Sequence, residues 1–300
     1  MKKRISILEL ADIDTGETRE VFRSPENIEA PFFRGETELF YNTGGRIYRI
    51  RLQDDTPWTA YVPGMAMEHS LVDTGECIRC NNDHVLSPDG RFLAVSHHGG
   101  PDHQSRIWVV DLTGTAAPRL VTPEAPSYLH GWSPDGDTLA YCACRNGDYD
   151  VYTIPAAGGD EVQLTFTPGL DDGPEYAPDG QTIWFCSVRA GNMDCWRMDA
   201  DGQNPVRITD NGRHNWFPHI SPDGAVAAYI SYDPAEVEAG DHPADKHVQL
   251  RRVLPDGTGD RAVFSFFGGQ GSLNVNSFLN SRVLAYVRYA FAGEDGSDTE

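Results

Sequence analysis

NWFPHISPDG, residues 215–224, ends in a four-residue signature, SPDG, that recurs along the chain. Its copies begin at Ser87, Ser133, Ala177 and Ser221, at spacings of 46, 44 and 44 residues. Proline suits the second position of a tight turn, and glycine supplies the positive φ that hairpins of this kind require. SPDG is therefore read as the hairpin between two strands. A period in the forties with about four strand signals per unit is the pattern of a β-propeller blade. In the unit around Ser87 those signals are DHVL, FLAVS, IWVVDL and RLVT.

Two divergent units complete the ring. EAPFFRGETELFYNTGGRIYRIRL keeps the strand rhythm without the Pro-Asp-Gly turn. Near the C-terminus, LNVNSFLNSRVLAYVRYA supplies only the first two strands of a blade, and RISILEL and TREVF at the N-terminus supply the missing pair. Closing a ring with strands from both termini leaves no open sheet edge. The expectation is an all-β, six-bladed propeller in a single domain. Its blades are placed at about 30–73, 82–122, 128–166, 172–210, 215–267 and 272–290 plus 4–23, and a flexible acidic tail at 291–300.

The 300 residues carry 24 basic and 45 acidic side chains, a formal net charge of −21. With no basic block, binding to a phosphate backbone is not expected. The N-terminal MKKRISILELADIDTG has no apolar core of a signal peptide, and no run long enough to span a membrane is visible, so a cytoplasmic location is expected. Six cysteines fit that compartment. Cys142 and Cys186 share one repeat position with Ser96 and Ser231, a slot that wants a small buried side chain. Cys77 and Cys80 form a lone CxxC without a second pair at zinc-binding spacing.

The first strand of a propeller blade lines the central channel. If SPDG marks its lower end, residues three to six places earlier lie about 10–15 Å away, at the upper end. The polar runs found there then converge from different blades. They bring Asn82, Asp83 and His84; Tyr128 and His130; Asp171, Asp172 and Glu175; and His214, Asn215, Trp216 and His219. The last blade is entered through Gln270, Asn274 and Asn276. Loops on the same face add His97, His98, His103 and Arg106, and Asp233, His242 and Lys246. All ten histidines are read as lying in or beside these segments. Imidazoles and carboxylates at a pore mouth suit a divalent metal, or acid–base work on a polar ligand. Polar residues at blade junctions also satisfy loop backbone groups, and the Asp-Gly pairs make turns without any chemistry.

The repeat resembles that of TolB-like propellers over nearly the whole chain. A group of cytoplasmic members is similar in NNDH, SY-x-HGW, DDGP, NWFPH, a His-Pro-x-x-Lys loop and GGQG followed by Asn. These match here at 81–84, 127–132, 171–174, 215–219, 242–246 and 268–274. That group implies no reaction. A weaker resemblance is to oligogalacturonate lyases, cytoplasmic propellers that cleave uronide chains by β-elimination with a metal, a histidine base and an arginine. HHGGPDHQSRIW is similar to one of their segments, which would map the catalytic pair onto Arg106 and His130. The lyases have seven blades, and their His-x-His metal pair has no strict equivalent in the Asn215–His219 spacing.

These readings combine into one expectation, a carbohydrate-active enzyme of lyase type working on a sugar or oligosaccharide. His130, His84, Arg106 and Lys246 are the catalytic candidates. Asn82, Asp83, Asp171, Glu175, Asn215, Trp216, His242, Gln270 and Asn274 would bind the ligand. His84, His130, Asp172 and His219 would hold one divalent metal, Mn, Ca or Zn. No nucleotide cofactor is expected, and the partner is a small polar ligand rather than nucleic acid or membrane. The competing expectation is a non-catalytic TolB-like propeller that binds a protein or a small ligand.

Overall fold

The computed structural model describes residues 3–291 as an almost pure β structure with two short 3-10 turns. The tail expected at 291–300 lies, beyond Phe291, outside the described residues. Among the described residues no helix is long and apolar enough to cross a membrane.

The SPDG turns form as the sequence predicts. Gly90, Gly136, Gly180 and Gly224 take φ of +67°, +84°, +69° and +71°. The serine that opens the turn has its own function. Ser87 Oγ donates to Asp89 at 2.5 Å and accepts the Phe92 N–H at 2.9 Å, locking both ends of the hairpin. Ser133 and Ser221 make the same pair of bonds.

Each hairpin begins a four-stranded antiparallel sheet. The first sheet holds β3 (Ile28–Arg34), β4 (Glu38–Thr43), β5 (Arg46–Leu52) and β6 (Met67–Leu71). The second holds β7 (Cys80–Leu86), β8 (Phe92–His97), β9 (Arg106–Asp111) and β10 (Arg119–Leu120). The third runs from β11 (Ser127–Trp132) through β12 (Thr138–Cys144) and β13 (Tyr149–Pro155) to β14 (Val162–Gln163). In the fourth, β15 (Asp171–Tyr176), β16 (Thr182–Ser187), β17 (Asp194–Asp199) and β18 (Val206–Arg207) follow in order. The fifth has β19 (His214–Ile220), β20 (Ala227–Tyr232), β21 (Lys246–Val253) and β22 (Arg261–Gly268).

The sixth blade joins the ends of the chain. β1 (Arg4–Asp12) lies between β2 (Thr18–Ser24) and β23 (Val283–Phe291), paired with the latter from Arg4↔Phe291 to Asp12↔Val283. The innermost strand expected around LNVN is reduced to one bridge, Phe278↔Leu284. Two asparagines account for this by capturing local amides. Asn274 Oδ1 accepts the Gly271 N–H at 2.7 Å, and Asn276 Oδ1 accepts the Phe278 N–H at 3.1 Å.

Apolar packing fills the space between blades. Trp184, Ile220 and Tyr229, all buried, belong to one such cluster between the fourth and fifth sheets. The shared Cys/Ser slot on the second strands adds specific bonds across the seams. Ser96 Oγ accepts the Leu129 N–H at 2.8 Å, Cys186 Sγ accepts the Phe217 N–H at 3.0 Å, and Cys142 Sγ donates to the Asp171 carbonyl at 3.4 Å. In these three blades the small side chain reaches the backbone of the next blade, whereas Ser231 donates to Asn215 within its own blade.

Candidate functional site

The geometry of the site begins with a fault in the ladders. β3, β7, β11, β15 and β19 each lose register with their second strand near the middle. Such bulges bend a strand and re-aim its side chains. Three residues at these faults, Ala30, Gly173 and Phe217, have φ of +49°, +63° and +56°. For a bulky residue this conformation costs on the order of 1–3 kcal/mol and persists only where its surroundings enforce it. Phe217 is held by its amide bond to Cys186 and by stacking on His130, with ring centroids 5.8 Å apart and planes 21° from parallel.

Around Phe217 the inner strands open into a cavity of about 240 Å³ at one end of the channel. It is lined by Asn81, Asn82 and Asp83 of β7, Tyr128 and His130 of β11, Asp172 of β15, and Gln270 and Asn274 from the last blade. Cys142, Tyr149 and Leu170 complete the wall. His242 enters from the long connection between β20 and β21. Its ring lies against Trp216, at 4.1 Å and 36°, and meets Phe217 edge-on at 5.3 Å. Two hydrogen bonds onto the Pro243 carbonyl, from Tyr232 Oη at 3.1 Å and the Gln270 amide at 3.3 Å, pin that connection over the channel.

His130 Nε2 lies 3.1 Å from Asp172 Oδ1, across the seam between the third and fourth blades. Burial alone would raise the Asp172 carboxyl, but the charge and hydrogen bond of His130, with His242 nearby, hold it at about 2. Burial also works against a charged His130, yet Asp172, Asp83 and Glu175 outweigh it and raise the imidazole above its ordinary value. Asp83 is pushed up to about 6, chiefly by burial and despite the favourable charge of His130. Burial lowers the His242 imidazole, and its Nδ1 is buried without a hydrogen-bond partner among the described residues. Burial raises the Tyr128 hydroxyl to about 12 and the Cys142 thiol well above its usual range, so both stay protonated.

Several sequence candidates lie elsewhere, and the metal quartet does not assemble. His84 Nε2 is 2.9 Å from the Ala30 carbonyl, its ring packs on Phe32, and burial lowers it to about 4. His219 is engaged by Glu175 at 2.7 Å and the Leu273 carbonyl at 3.3 Å. Glu175 is in turn held by the Ile220 amide and Asn276, which makes the trio a brace across the fourth, fifth and last blades. Among the described residues no three or more His, Cys, Asp or Glu side chains converge to hold a metal ion. The donor set thus does not fit the metal that the lyase resemblance implies.

Arg106 pairs with Asp102 at 2.7 Å, donates to the Pro123 carbonyl and lines a different cleft, beside Arg79, His97 and Trp108. Lys246 points toward Glu236, donating to its carbonyl at 3.3 Å. Neither lines the cavity, so neither is placed for the catalytic role expected of it. Asp171 is paired with Arg189, and Asn215 is fully bonded to Asp194, Thr209, Asn211 and Ser231. Trp216 backs His242 from the core rather than facing the cavity. Of the ten histidines, His130 and His242 line it, whereas His69 is on the outer strand β6 beside Phe22. The Cys77 and Cys80 thiols are free, buried and raised to about 12 by burial, so both stay protonated.

The sequence reading missed Asn81, Phe217, Cys142, Tyr149 and Leu170 as site residues. Phe217 had one available signal, its alignment with Gly173 four places before the turn, where only a special backbone fits.

Six blades, the last closed by strands from both ends of the chain, define a six-bladed β-propeller. Residues 84–262 match the model of the TolB β-propeller domain, and the chain belongs to that family. It is 39% identical over 286 residues to an uncharacterised protein of Agrobacterium fabrum, covering 95% of this chain and 92% of that one. A solved structure provisionally assigned as TolB, from Agrobacterium tumefaciens, superposes with a TM-score of 0.85 at 39% identity over 96% of this chain and 99% of that one. An oligogalacturonate lyase of Vibrio parahaemolyticus shares the fold, with a TM-score of 0.53 at 14% identity over 93% of this chain and 77% of that one.

Proposed function

We propose that this propeller binds a small hydroxylated molecule of sugar type in the channel-mouth cavity and transfers a proton to it. The single observation that carries the reading is the His130–Asp172 pair, 3.1 Å apart, facing a cavity whose wall also carries side-chain amides, aromatic rings, Asp83 and His242. A volume of about 240 Å³ suits a single sugar ring, and side-chain amides with flanking aromatics suit its hydroxyl groups and its apolar face. Asp172 keeps His130 protonated and oriented. His130 then acts as the general acid, giving its proton to a ligand oxygen as that oxygen leaves carbon with the bonding pair and water adds to the carbon, losing its own proton to solvent. This differs from the base that the lyase resemblance implies for it, because the neighbouring carboxylates of Asp172, Asp83 and Glu175 favour the imidazolium.

The competing reading is a binding propeller in which His130 and Asp172 only hold two blades together. One experiment separates the two. His130→Gln and Asp172→Asn are compared with the wild type, first for melting shifts in a panel of neutral monosaccharides and glycosides, then for turnover of whichever compound binds. The enzymatic reading expects binding to persist in His130→Gln with turnover reduced on the order of 10²-fold or more. Turnover equal to wild type removes His130 as the acid, and binding without turnover in the wild type favours the competing reading.

A further inference from the structure

The charges around the cavity do not balance. Asp83 and Asp172 line it with one imidazole that their charges favour protonating, His130, and no lysine or arginine does so. His130 sits on Asp172, so Asp83 is the carboxylate left without a cation of its own. It is 5% exposed and its carboxylate receives the side-chain amide of Asn81. Buried carboxylates are ordinarily paired with a cation, and no cation among the described residues lies at hydrogen-bond distance from Asp83. Two tyrosine rings, Tyr128 and Tyr149, stand together in the same wall with centroids 6.3 Å apart. Aromatic faces beside a carboxylate attract cations and offer nothing to an anion. A second and independent sign of a missing ligand is His242 Nδ1, a buried ring nitrogen of a residue in the same wall, which has no partner among the described residues.

We infer that the cavity takes a small hydroxylated ligand bearing an ammonium group, which pairs with Asp83 beside Tyr128 and Tyr149 while another polar group of the ligand meets His242 Nδ1. The inference rests on the proposed function for the place and size of the ligand and adds its charge. The same arrangement disfavours hexuronates, whose carboxylate would meet Asp83 in a wall that carries no lysine or arginine. An amino sugar combines both requirements.

Isothermal titration calorimetry of the full chain with glucosamine, glucose, glucuronate and ethanolamine tests this. The expected result is glucosamine binding at least about tenfold tighter than glucose, with glucuronate not bound, and the preference lost in Asp83→Asn. The wild-type ranking stands as a test even if that variant does not fold. Glucose binding as tightly as glucosamine overturns the inference while leaving the sugar reading intact. Ethanolamine binding with no hexose bound sustains the ammonium site and sinks the sugar reading. Failure of all four to bind, or glucuronate binding tightest, overturns the inference.

Discussion

Phe217 lies between His130 and His242, stacked on the first and edge-on to the second, and holds a left-handed backbone to do so. One strained residue thus fixes the two histidines that line the cavity. Gly173 is its counterpart in the preceding blade, and a Cβ there would meet the Phe217 ring at 3.2 Å. Gly173→Ala is therefore expected to lower stability by about 1–3 kcal/mol and to weaken ligand binding by displacing that ring. Chemical denaturation and calorimetry on the same variant check both, and an unchanged affinity would separate Phe217 from the site.

Cys186 supplies the acceptor for the Phe217 amide. Serine fills the same slot in another blade, as Ser96 does for Leu129. Cys186→Ser should cost under about 1 kcal/mol, whereas Cys186→Ala leaves a buried N–H unsatisfied and should cost about 1–3 kcal/mol. Equal midpoints for the two variants in urea would show that the bond contributes nothing.

His219 is predicted to be structural. His219→Ala removes a partner of Glu175 and should lower the melting temperature while leaving ligand affinity unchanged. A loss of binding at unchanged stability would return His219 to the site.

Asp83 links the site to pH. Its folded value of about 6 lies above the ordinary carboxyl range, so it favours the fold while protonated and that contribution is lost as pH rises through about 6. Asp83→Asn should melt higher than wild type at pH 8, by up to about 3 kcal/mol if the whole shift counts. Near pH 4 the two should coincide. Lower stability of the variant at pH 8 would mean that the attraction between Asp83 and His130 outweighs the burial cost.

The fold was legible because its period is written in turn chemistry. The Pro-Asp-Gly copies give hairpins, and their spacing gives blades. The site was legible only where a side chain's environment follows from its place on a strand. His84 and His130 both stand three residues before a turn, yet one meets a backbone carbonyl and the other a carboxylate from the next blade. That difference arises from which neighbour the bulge presents, and no single strand encodes it. The threonines Thr122, Thr165 and Thr209 escaped notice for a related reason. Each accepts a third-strand amide, at 2.8–2.9 Å, from a residue 14 or 15 places earlier in the chain.

The account depends most on a charged His130 held by Asp172, and side-chain NMR titration of His130 measures that directly. Its imidazole should titrate above the ordinary histidine value in the wild type and fall in Asp172→Asn. An ordinary or lowered value in the wild type, unmoved by Asp172→Asn, would contradict the pairing and with it the proposed acid.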